Sequence, residues 1–318
     1  MSTGSYVHAD DTGARHQGKN GYCTVIGHQW FAYFRSSQSK SRQNFLETLQ
    51  GNNPIYVLND YARSYLELSD LAAKHWQKLQ FSSQVLATEA SQWSSYLESL
   101  GILTSKARRL VTEAALLGGM MEKGVPEQLR IISDGARQFN VLVHALCWIH
   151  AERALRRLPG NTARQRQNIE DMQQLLWDYY HQLQDYRDNP TSEGKTQLEE
   201  GFDAVFGRCY LHHDSLNQVL LGFRDHKAQL LSVLDCPQLP LHNNEAESDI
   251  REYVTRRKIS GGTRSEAGRR ARDTFVGLKK TCRKLGISFW HFLISRLRGD
   301  GQIPPLAEVI RARAYALS

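Results

Sequence analysis

Three acidic residues, widely separated in the sequence, could together perform phosphodiester chemistry. Asp10 follows the strand-like segment Tyr6–Ala9, and Asp134 follows the strand-like segment Leu129–Ser133. Glu247 lies far along the chain in a segment with helical spacing. Carboxylates at the ends of neighbouring strands converge at one edge of an open α/β sheet, and a helix packed on that sheet can supply a third. Hard divalent cations bind such oxygens, and two ions can stabilise both the attacking and the leaving oxygen of a phosphoryl transfer.

Each of these residues also has a purely structural interpretation. Asp10 and Asp134 both stand just before glycine-containing turns, which aspartate commonly opens. Asn244 and Glu247 loosely fit a capping box, in which the glutamate reaches back to the helix start. Asp60, which follows another strand-like segment, competes with Asp134 for the position of the second carboxylate. Spacing alone leaves these alternatives open.

Basic residues are concentrated in one segment near the C-terminus. Residues 251–284 hold twelve Lys and Arg against three acidic residues, whereas the whole chain has a net charge of +7. On a helix, Arg251 and Lys258 lie about 40° and 20° from Glu247, so all three share a face. This segment therefore suits the phosphate backbone of DNA, although a solvated helix face is the simpler alternative. The residues predicted to contact DNA are Arg251, Arg257, Lys258, Arg264, Arg269, Arg270, Lys279 and Lys280.

The hydrophobic pattern predicts a mixed α/β core that two helical regions interrupt. Strands are expected at Tyr6–Ala9, Tyr22–Gly27, Gln29–Phe34, Ile55–Leu58, Leu129–Ile132 and Ala145–Ile149. Helices are expected at Ser39–Leu49, Glu152–Tyr186, from Asn244 to the glycine pair at 261–262, Ala267–Leu285 and Phe289–Leu297. The predicted organisation is a core at 1–60, a helical insertion at 61–124, the second part of the core at 125–159, a second helical insertion at 160–236, the catalytic and basic helices at 237–297, and a tail at 298–318.

Composition excludes several classes of protein. No apolar run is long enough to cross a membrane, and the first residues do not form a secretory signal, so a cytoplasmic, nucleoid-associated protein is expected. Five scattered cysteines argue against a disulfide framework. Cys147 with His150, and Cys209 with His212, form two C-x-x-H pairs that could build a zinc site if the fold brings them together.

The segment around Glu247 resembles a known family. His242-Asn-Asn-Glu-Ala-Glu-Ser-Asp-Ile-Arg251 is similar to the D-N-N-x-A-E-R-x-L/I-R block of the insertion sequence 66 family of DDE transposases. The glycine- and arginine-rich segment 257–271 is similar to the one that follows there. Ala9-Asp-Asp-Thr12 resembles the block around the first aspartate, and Ser133-Asp-Gly135 followed by Cys147–Arg153 resembles the second, with its C-W-x-H-x-x-R partner. His242 and Ser248 depart from the pattern, and the loss of arginine at position 248 removes a cation beside the site.

The resemblance implies a fold and an activity. The expected fold is α/β, a ribonuclease H-like mixed sheet with flanking helices and two inserted helical regions. Asp10, Asp134 and Glu247 would be the metal-binding catalytic triad, Asp134 being favoured over Asp60 because the Cys147–Arg153 block follows it. The cofactor would be two Mg²⁺ ions, for which Mn²⁺ can substitute, and the reaction would be strand cleavage and strand transfer at the ends of a mobile element.

The resemblance also implies partners. These are element-end and target DNA and a second copy of the chain in the DNA complex, with no membrane. Only nine residues precede Asp10, so two alternatives are expected: the chain is a fragment or truncated product, or a separate polypeptide recognises the element ends. Two other hypotheses remain: a degenerate transposase that binds DNA without cutting it, and a ribonuclease H-like nuclease such as a junction resolvase.

Overall fold

The computed structural model describes residues 4–316 and shows a mixed α/β protein built on a five-stranded sheet. The order of the main sheet is β3-β2-β1-β6-β7, and β4 and β5 form a separate two-stranded sheet. The strands β1 to β3 are antiparallel, whereas β6 and β7 run parallel to β1. The strands are β1 Tyr6–His16, β2 Lys19–His28, β3 Phe31–Ser37, β4 Tyr56–Val57, β5 Val85–Ala87, β6 Arg130–Ser133 and β7 Val143–Leu146. The expected mixed α/β core with flanking helices is therefore confirmed.

The first hairpin is longer than the sequence pattern predicts. The strand β1 does not end at Ala9, and the segment from 13 to 16 continues it in register with β2. Gln17 and Gly18 alone form the turn, both with positive φ (50° and 76°), as two-residue hairpin loops require. The polar, glycine-containing composition of this segment imitates a turn because the hairpin extends beyond the buried part of the sheet.

Helices cover both faces of the sheet and fill the connections between strands. They are α1 Arg42–Gln50, α2 Asp60–Glu67, α3 Ala73–Trp76, α4 Ala90–Ser99, α5 Ser105–Glu122, α6 Trp148–Arg156, α7 Ala163–Asp188, α8 Ser192–Phe206, α9 Asp214–Asp225, α10 Lys227–Leu230, α11 Asn244–Ser260, α12 Glu266–Lys284, α13 Phe289–Arg298 and α14 Leu306–Tyr315. Within residues 4–316, no helix is both long and apolar enough to cross a membrane.

Several predicted boundaries are wrong for identifiable reasons. The apolar run Ala145–Ile149 is half strand and half helix, because β7 ends at Leu146 and α6 begins at Trp148. The backbone N–H of Trp148 donates to the carbonyl of Leu241, and its indole donates to the carbonyl of Leu230. The helix expected over Glu152–Tyr186 is two helices, since Pro159 lies between α6 and α7. The short strand β5 and the helix α14 were not predicted.

The helices of residues 61–124 share one hydrophobic core with the sheet. Val7, Ala9 and Ile26 of the sheet belong to the same buried cluster as residues of α1, α2, α4 and α5. Gly118 and Gly119 let α5 approach the β4 segment closely, because a Cβ at these positions would lie 2.2 Å and 2.1 Å from backbone carbonyl oxygens. This part of the chain therefore covers one face of the sheet.

The helices α6 to α10 form a second hydrophobic cluster. The indole of Trp148 packs near the ring of Tyr179, and Phe202 and Phe206 complete an aromatic group with them. The apolar stripe predicted along α7 is core packing, as expected, with Met172, Leu176 and Leu183 fully buried. Residues 160–236 therefore form a hydrophobic core of their own, which packs around Trp148 of α6.

The helices α11 and α12 cover the opposite face of the sheet. Ala246 and Tyr253 of α11 and Val276 of α12 pack on Val25 and Phe34. The helix α12 also runs along the outer edge of β3, where the Asp273 Oδ2 atom accepts the N–H of Ser36 at 2.7 Å and the Thr281 Oγ1 atom accepts that of Ala32 at 3.2 Å. A Cβ at Gly277 would lie 3.1 Å from the carbonyl oxygen of Ala32, so glycine permits this close approach.

Candidate active site at the edge of the sheet

Two adjacent parallel strands place Asp10 and Asp134 at equivalent positions. In the β1–β6 pair, Tyr6 lies opposite Arg130 and His8 lies opposite Ile132. Asp10 lies two residues after His8, and Asp134 lies two residues after Ile132. The register therefore brings the two aspartates together on the same face of the sheet. Asp10 lies in the middle of β1, not at its end as predicted, whereas Asp134 directly follows β6. The parallel pairing ends before Asp10, which leaves its side chain at the edge of this strand pair.

The carboxylate of Asp10 is electrostatically crowded. Its Oδ1 atom accepts the backbone N–H of Asp11 at 2.7 Å. Burial, together with the neighbouring charges of Asp134, Asp11 and Glu247, raises the pKa of Asp10 to about 7. All three carboxylates selected from the sequence are thus close enough to interact. A cluster of carboxylates in a partly buried site is unfavourable unless a cation accompanies it.

The second carboxylate also has the structural role considered above. Asp134 is exposed, and its Oδ1 atom accepts the backbone N–H of Ala136 at 3.0 Å, across a turn in which Gly135 has a φ of 93°. A turn-forming aspartate and a metal-binding aspartate are compatible, because a carboxylate has about four acceptor sites and this turn uses one of them. The turn fixes the direction of this carboxylate.

Asn243 fixes the start of the helix that carries Glu247. Its side chain accepts a hydrogen bond from the Nδ1 atom of His8 at 2.9 Å and donates to the carbonyl of Ala9 at 2.8 Å. Burial lowers the pKa of His8 to about 4, which keeps this ring neutral. Asn243 is the residue before α11, and its carbonyl accepts the N–H of Glu247 at 3.1 Å. The first turn of α11 is therefore bound directly to the strand segment that precedes Asp10.

The capping-box interpretation of Glu247 is wrong. The residue that caps α11 is Asn243, not Asn244, and its side chain makes no capping hydrogen bond because it is used by β1. The carboxylate of Glu247 instead meets Arg153, with Nη1 at 3.1 Å from Oε1 and Nη2 at 3.5 Å from Oε2. Glu247 is thus directed toward α6 and not toward its own helix start.

Arg153 and His150 complete the surroundings of Glu247. The Nε2 atom of His150 lies 3.8 Å from Glu247 Oε1 and 3.1 Å from Arg153 Nη1. Burial lowers the pKa of His150, and the adjacent Arg153 lowers it further. Sequence reasoning did not assign these two residues or Asn243 to the site. The i, i+3 spacing of His150 and Arg153, which places both on one helix face, was the available signal.

The carboxylates of Asp10, Asp134 and Glu247 have the chemistry to bind a hard cation, but they are not gathered closely enough to coordinate one together. Three carboxylates around one strand pair have the donor chemistry that Mg²⁺ and Mn²⁺ prefer. Within residues 4–316, however, no three His, Cys, Asp or Glu side chains lie close enough together to hold a metal ion. Glu247 is instead paired with the guanidinium of Arg153.

The C-x-x-H pairs do not come together. Cys147 is buried, burial raises its pKa, and its Sγ atom accepts the N–H of Asn243 at 3.2 Å. Cys209 is exposed in the connection between α8 and α9, near His212. Because no metal-binding group of these residues forms in the described part of the chain, the zinc alternative is not supported.

The predicted DNA-binding residues divide into two groups. Arg251, Lys258, Arg264 and Arg270 are exposed. The others bind within the protein: Arg257 donates to the carbonyl of Gly13, Arg269 pairs with Glu266 at 2.7 Å, and Lys279 pairs with Glu252 at 2.7 Å.

The placement of Lys280 corrects a prediction. This side chain is 8% exposed and lies 3.4 Å from the carboxylate of Asp249, so it is not available to a DNA backbone. Lys284 likewise pairs with Asp249 at 2.9 Å. Both lysines are held within the protein because α11 packs against this side of α12 and supplies the buried carboxylate of Asp249.

Comparison with known proteins assigns the chain to a family. A family model described as Transposase IS66 family matches residues 107–271, which include Asp134, Arg153 and Glu247. The chain belongs to the IS66 transposase family. This family member is also 40% identical over 312 residues to the uncharacterized protein y4jO of Sinorhizobium fredii (strain NBRC 101917 / NGR234), and the match covers 97% of each chain. No solved structure matches it significantly. Asp10 lies outside the region that the family model matches.

Proposed function

We propose that this IS66 family member is the catalytic part of a DDE-type DNA transposase, which cuts and joins DNA strands at the ends of a mobile element. The observation that carries the proposal is the common register of Asp10 and Asp134 on β1 and β6, beneath the helix that bears Glu247. The family match supplies independent support, since it includes Asp134 and Glu247.

The sheet topology supports a ribonuclease H-like fold. Three antiparallel strands, followed in space by two strands parallel to the first, give the order β3-β2-β1-β6-β7. In this arrangement the first strand lies at the centre and carries the first carboxylate, the adjacent parallel strand carries the second, and a later helix carries the third. The two helical regions are then additions to this core.

Asp10, Asp134 and Glu247 would hold two Mg²⁺ ions, for which Mn²⁺ can substitute. When bound, such ions activate the attacking oxygen and neutralise the charge that develops at phosphorus. Water would be the nucleophile for cleavage, and a 3′-hydroxyl would be the nucleophile for strand transfer. The chain itself fixes the three carboxylates through the β1–β6 register and the Asn243 contact, and Arg153 pairs with Glu247 when no metal ion is bound.

The exposed basic residues would position the DNA. Arg251 and Lys258 lie on the helix that carries Glu247, and Arg264 and Arg270 follow it. Contacts from such residues to phosphates would be independent of sequence and sensitive to salt. Recognition of the element ends by another polypeptide, and action as a homodimer on DNA, are part of this proposal.

A nicking assay on supercoiled plasmid tests the proposal. With Mg²⁺ or Mn²⁺, the unmodified chain should nick DNA, and Asp10→Asn, Asp134→Asn and Glu247→Gln should each lower the rate by about a hundredfold or more, as losses of metal ligands do. Asp60→Asn is the matched control, because Asp60 is exposed at the start of α2 and should leave the rate unchanged. Equal activity of Asp134→Asn and the unmodified chain would refute the assignment.

One observation favours a second candidate, a transposase remnant that binds DNA without cutting it. The pairing of Glu247 with Arg153, and the lack of three gathered metal ligands in the described residues, are what a site without metal would show. In that case DNA binding would persist while nicking is absent with either metal. A junction resolvase would instead cut branched DNA and fail to join strands.

A further inference from the structure

A pocket of about 610 Å³ opens beside Asp134, between the core and the second helical region. Asp134, Cys147 and His150 line one side of it, so it is continuous with the candidate active site. Residues of α9 and α10 form the other side. The volume lies in the range of pockets that bind one small organic molecule.

The walls of this pocket are largely apolar. Leu146 and Ala151 line it from the core, and Val219, Phe223 and Leu230 line it from the second helical region. Phe223, which is 8% exposed and packs against the ring of Phe206, contributes part of an aromatic surface to this wall. A flat heteroaromatic group could stack there, because aromatic side chains bind the face of any nucleobase.

The polar residues of the pocket suit a nucleotide. His144 is buried beside Asp134, with its Nε2 atom 2.8 Å from the Ser133 hydroxyl, and burial lowers its pKa to about 4. A neutral imidazole can donate and accept hydrogen bonds to the edge of a base. Arg137 is exposed at the rim, and within residues 4–316 its guanidinium makes no ion pair. The charge of Arg137 suits the phosphate of a nucleotide, and the apolar walls suit its base.

We propose that this pocket binds one unpaired nucleotide of the DNA substrate, next to the phosphate at Asp10 and Asp134. The base would lie against Phe223 and the apolar wall, and its phosphate would face Arg137. The location of the reacting phosphate rests on the proposed function. The pocket gives the second helical region a role, because without α9 and α10 the cleft beside Asp134 would have no second wall.

Gly222 of α9 offers a way to fill the pocket without disturbing the fold. It lines the pocket, and a Cβ added there would meet no atom within 4 Å. Its helical position also favours other residues over glycine. Gly222→Leu should therefore place its side chain in the space proposed for the base. Gln218→Leu, at an exposed position of the same helix, is the matched control.

The experiment compares two short DNA duplexes, one fully paired and one with a single bulged 2-aminopurine, in Ca²⁺ buffer. The unmodified chain should bind the bulged duplex about tenfold more tightly and change the fluorescence of the bulged base. Gly222→Leu should lose both the preference and the fluorescence change, while its affinity for the paired duplex stays unchanged. Gln218→Leu should behave like the unmodified chain.

The outcomes separate this inference from the proposed function. A preference for the bulged duplex that Gly222→Leu retains would overturn the pocket assignment, as would equal binding of both duplexes by the unmodified chain. Either result is independent of nicking, which is measured with Mg²⁺ or Mn²⁺ on intact plasmid. A chain that nicks plasmid but does not distinguish the duplexes keeps the active site and loses the nucleotide pocket.

Discussion

The guanidinium of Arg153 donates to the carboxylate of Glu247 from both Nη atoms, at 3.1 Å and 3.5 Å. The two residues lie on different helices, α6 and α11, and 94 residues apart in the chain. This pair joins the block that follows Asp134 to the block that contains Glu247, so the two family motifs meet at one contact. Any cation that binds Glu247 must compete with Arg153.

Replacement of Arg153 should therefore strengthen metal binding in the absence of DNA. Arg153→Gln is expected to raise the affinity for Mn²⁺ by about fivefold, the equivalent of a partly exposed ion pair of about 1 kcal/mol. The concentration of free Mn²⁺, followed by its electron paramagnetic resonance signal, measures this. Arg156→Gln is the control, because Arg156 is an exposed residue of the same helix that faces Glu152. Weaker Mn²⁺ binding by Arg153→Gln would mean that Arg153 holds Glu247 in the metal-binding orientation instead.

Adjacent asparagines at the start of α11 should differ sharply in their contribution to stability. Asn243→Ala leaves His8 and the carbonyl of Ala9 without their buried partner and should lower the free energy of unfolding by about 2–3 kcal/mol. Asn244→Ala, at an exposed position, should change it by less than about 0.5 kcal/mol. Urea denaturation measures both variants. Similar losses would show that the Asn243 contacts do not anchor the helix.

His28 should make the protein sensitive to mild acid. Burial lowers its pKa to about 4, with Glu245 opposing the shift and His8 and Lys284 contributing to it. Because the folded pKa lies below the unfolded value, the unfolded chain takes up the proton first, and stability is lost as the pH falls from about 6.5 toward 4. His28→Phe keeps the ring contacts with Tyr6 and Trp30 and removes the titration. Between about pH 6.5 and 4, the free energy of unfolding of the variant should decrease by on the order of 3 kcal/mol less than that of the unmodified chain. Urea denaturation over a pH series measures both proteins. Parallel pH profiles would contradict the assignment.

An exposed basic residue on α11 should affect DNA binding alone. Arg251→Gln should weaken binding to any duplex, and the slope of log affinity against log salt should fall by about one. Fluorescence anisotropy over a salt series measures this, with Lys74→Gln on α3 as the control because Lys74 is also exposed. An unchanged slope would remove Arg251 from the DNA-binding surface.

A buried basic residue on α12 should affect stability instead. Lys280→Met removes one of the two lysines that face Asp249 and should lower the free energy of unfolding by about 2 kcal/mol or more. Its duplex affinity, measured on the folded protein in the same anisotropy assay, should stay within about twofold of the unmodified chain, since a buried lysine releases no counterions on binding. A loss of DNA affinity without a loss of stability would reverse the assignment of Lys280.

Local sequence predicted the elements better than their ends. The strands beside Asp10 and Asp134 were located from their apolar residues, and the helix that carries Glu247 was located from the glycine pair at 261–262 that ends it. The length of β1 was not predicted, because the outer part of a long hairpin has polar, turn-like composition. The apolar segment Ala145–Ile149 was predicted as one strand because the first residues of a buried helix are as apolar as those of a strand.

The relationships between elements were beyond local sequence. Nothing near Glu247 indicates that Arg153 is its partner, and nothing near Lys280 indicates that Asp249 lies beneath it. Both depend on how α11 packs against α6 and α12, which is a long-range property. The resemblance to the family ordered the motifs along the chain, but the side-chain pairing among them required the structure.

The contact between α12 and β3 has a consequence for how copies of this chain can associate. Asp273 and Thr281 already bond to the outward N–H groups of Ser36 and Ala32, and Gly277 brings the helix against the strand between them. An exposed strand edge is a template on which another chain can extend the sheet. Here that template is occupied by a helix of the basic segment, so two copies brought together on DNA cannot merge their sheets at β3.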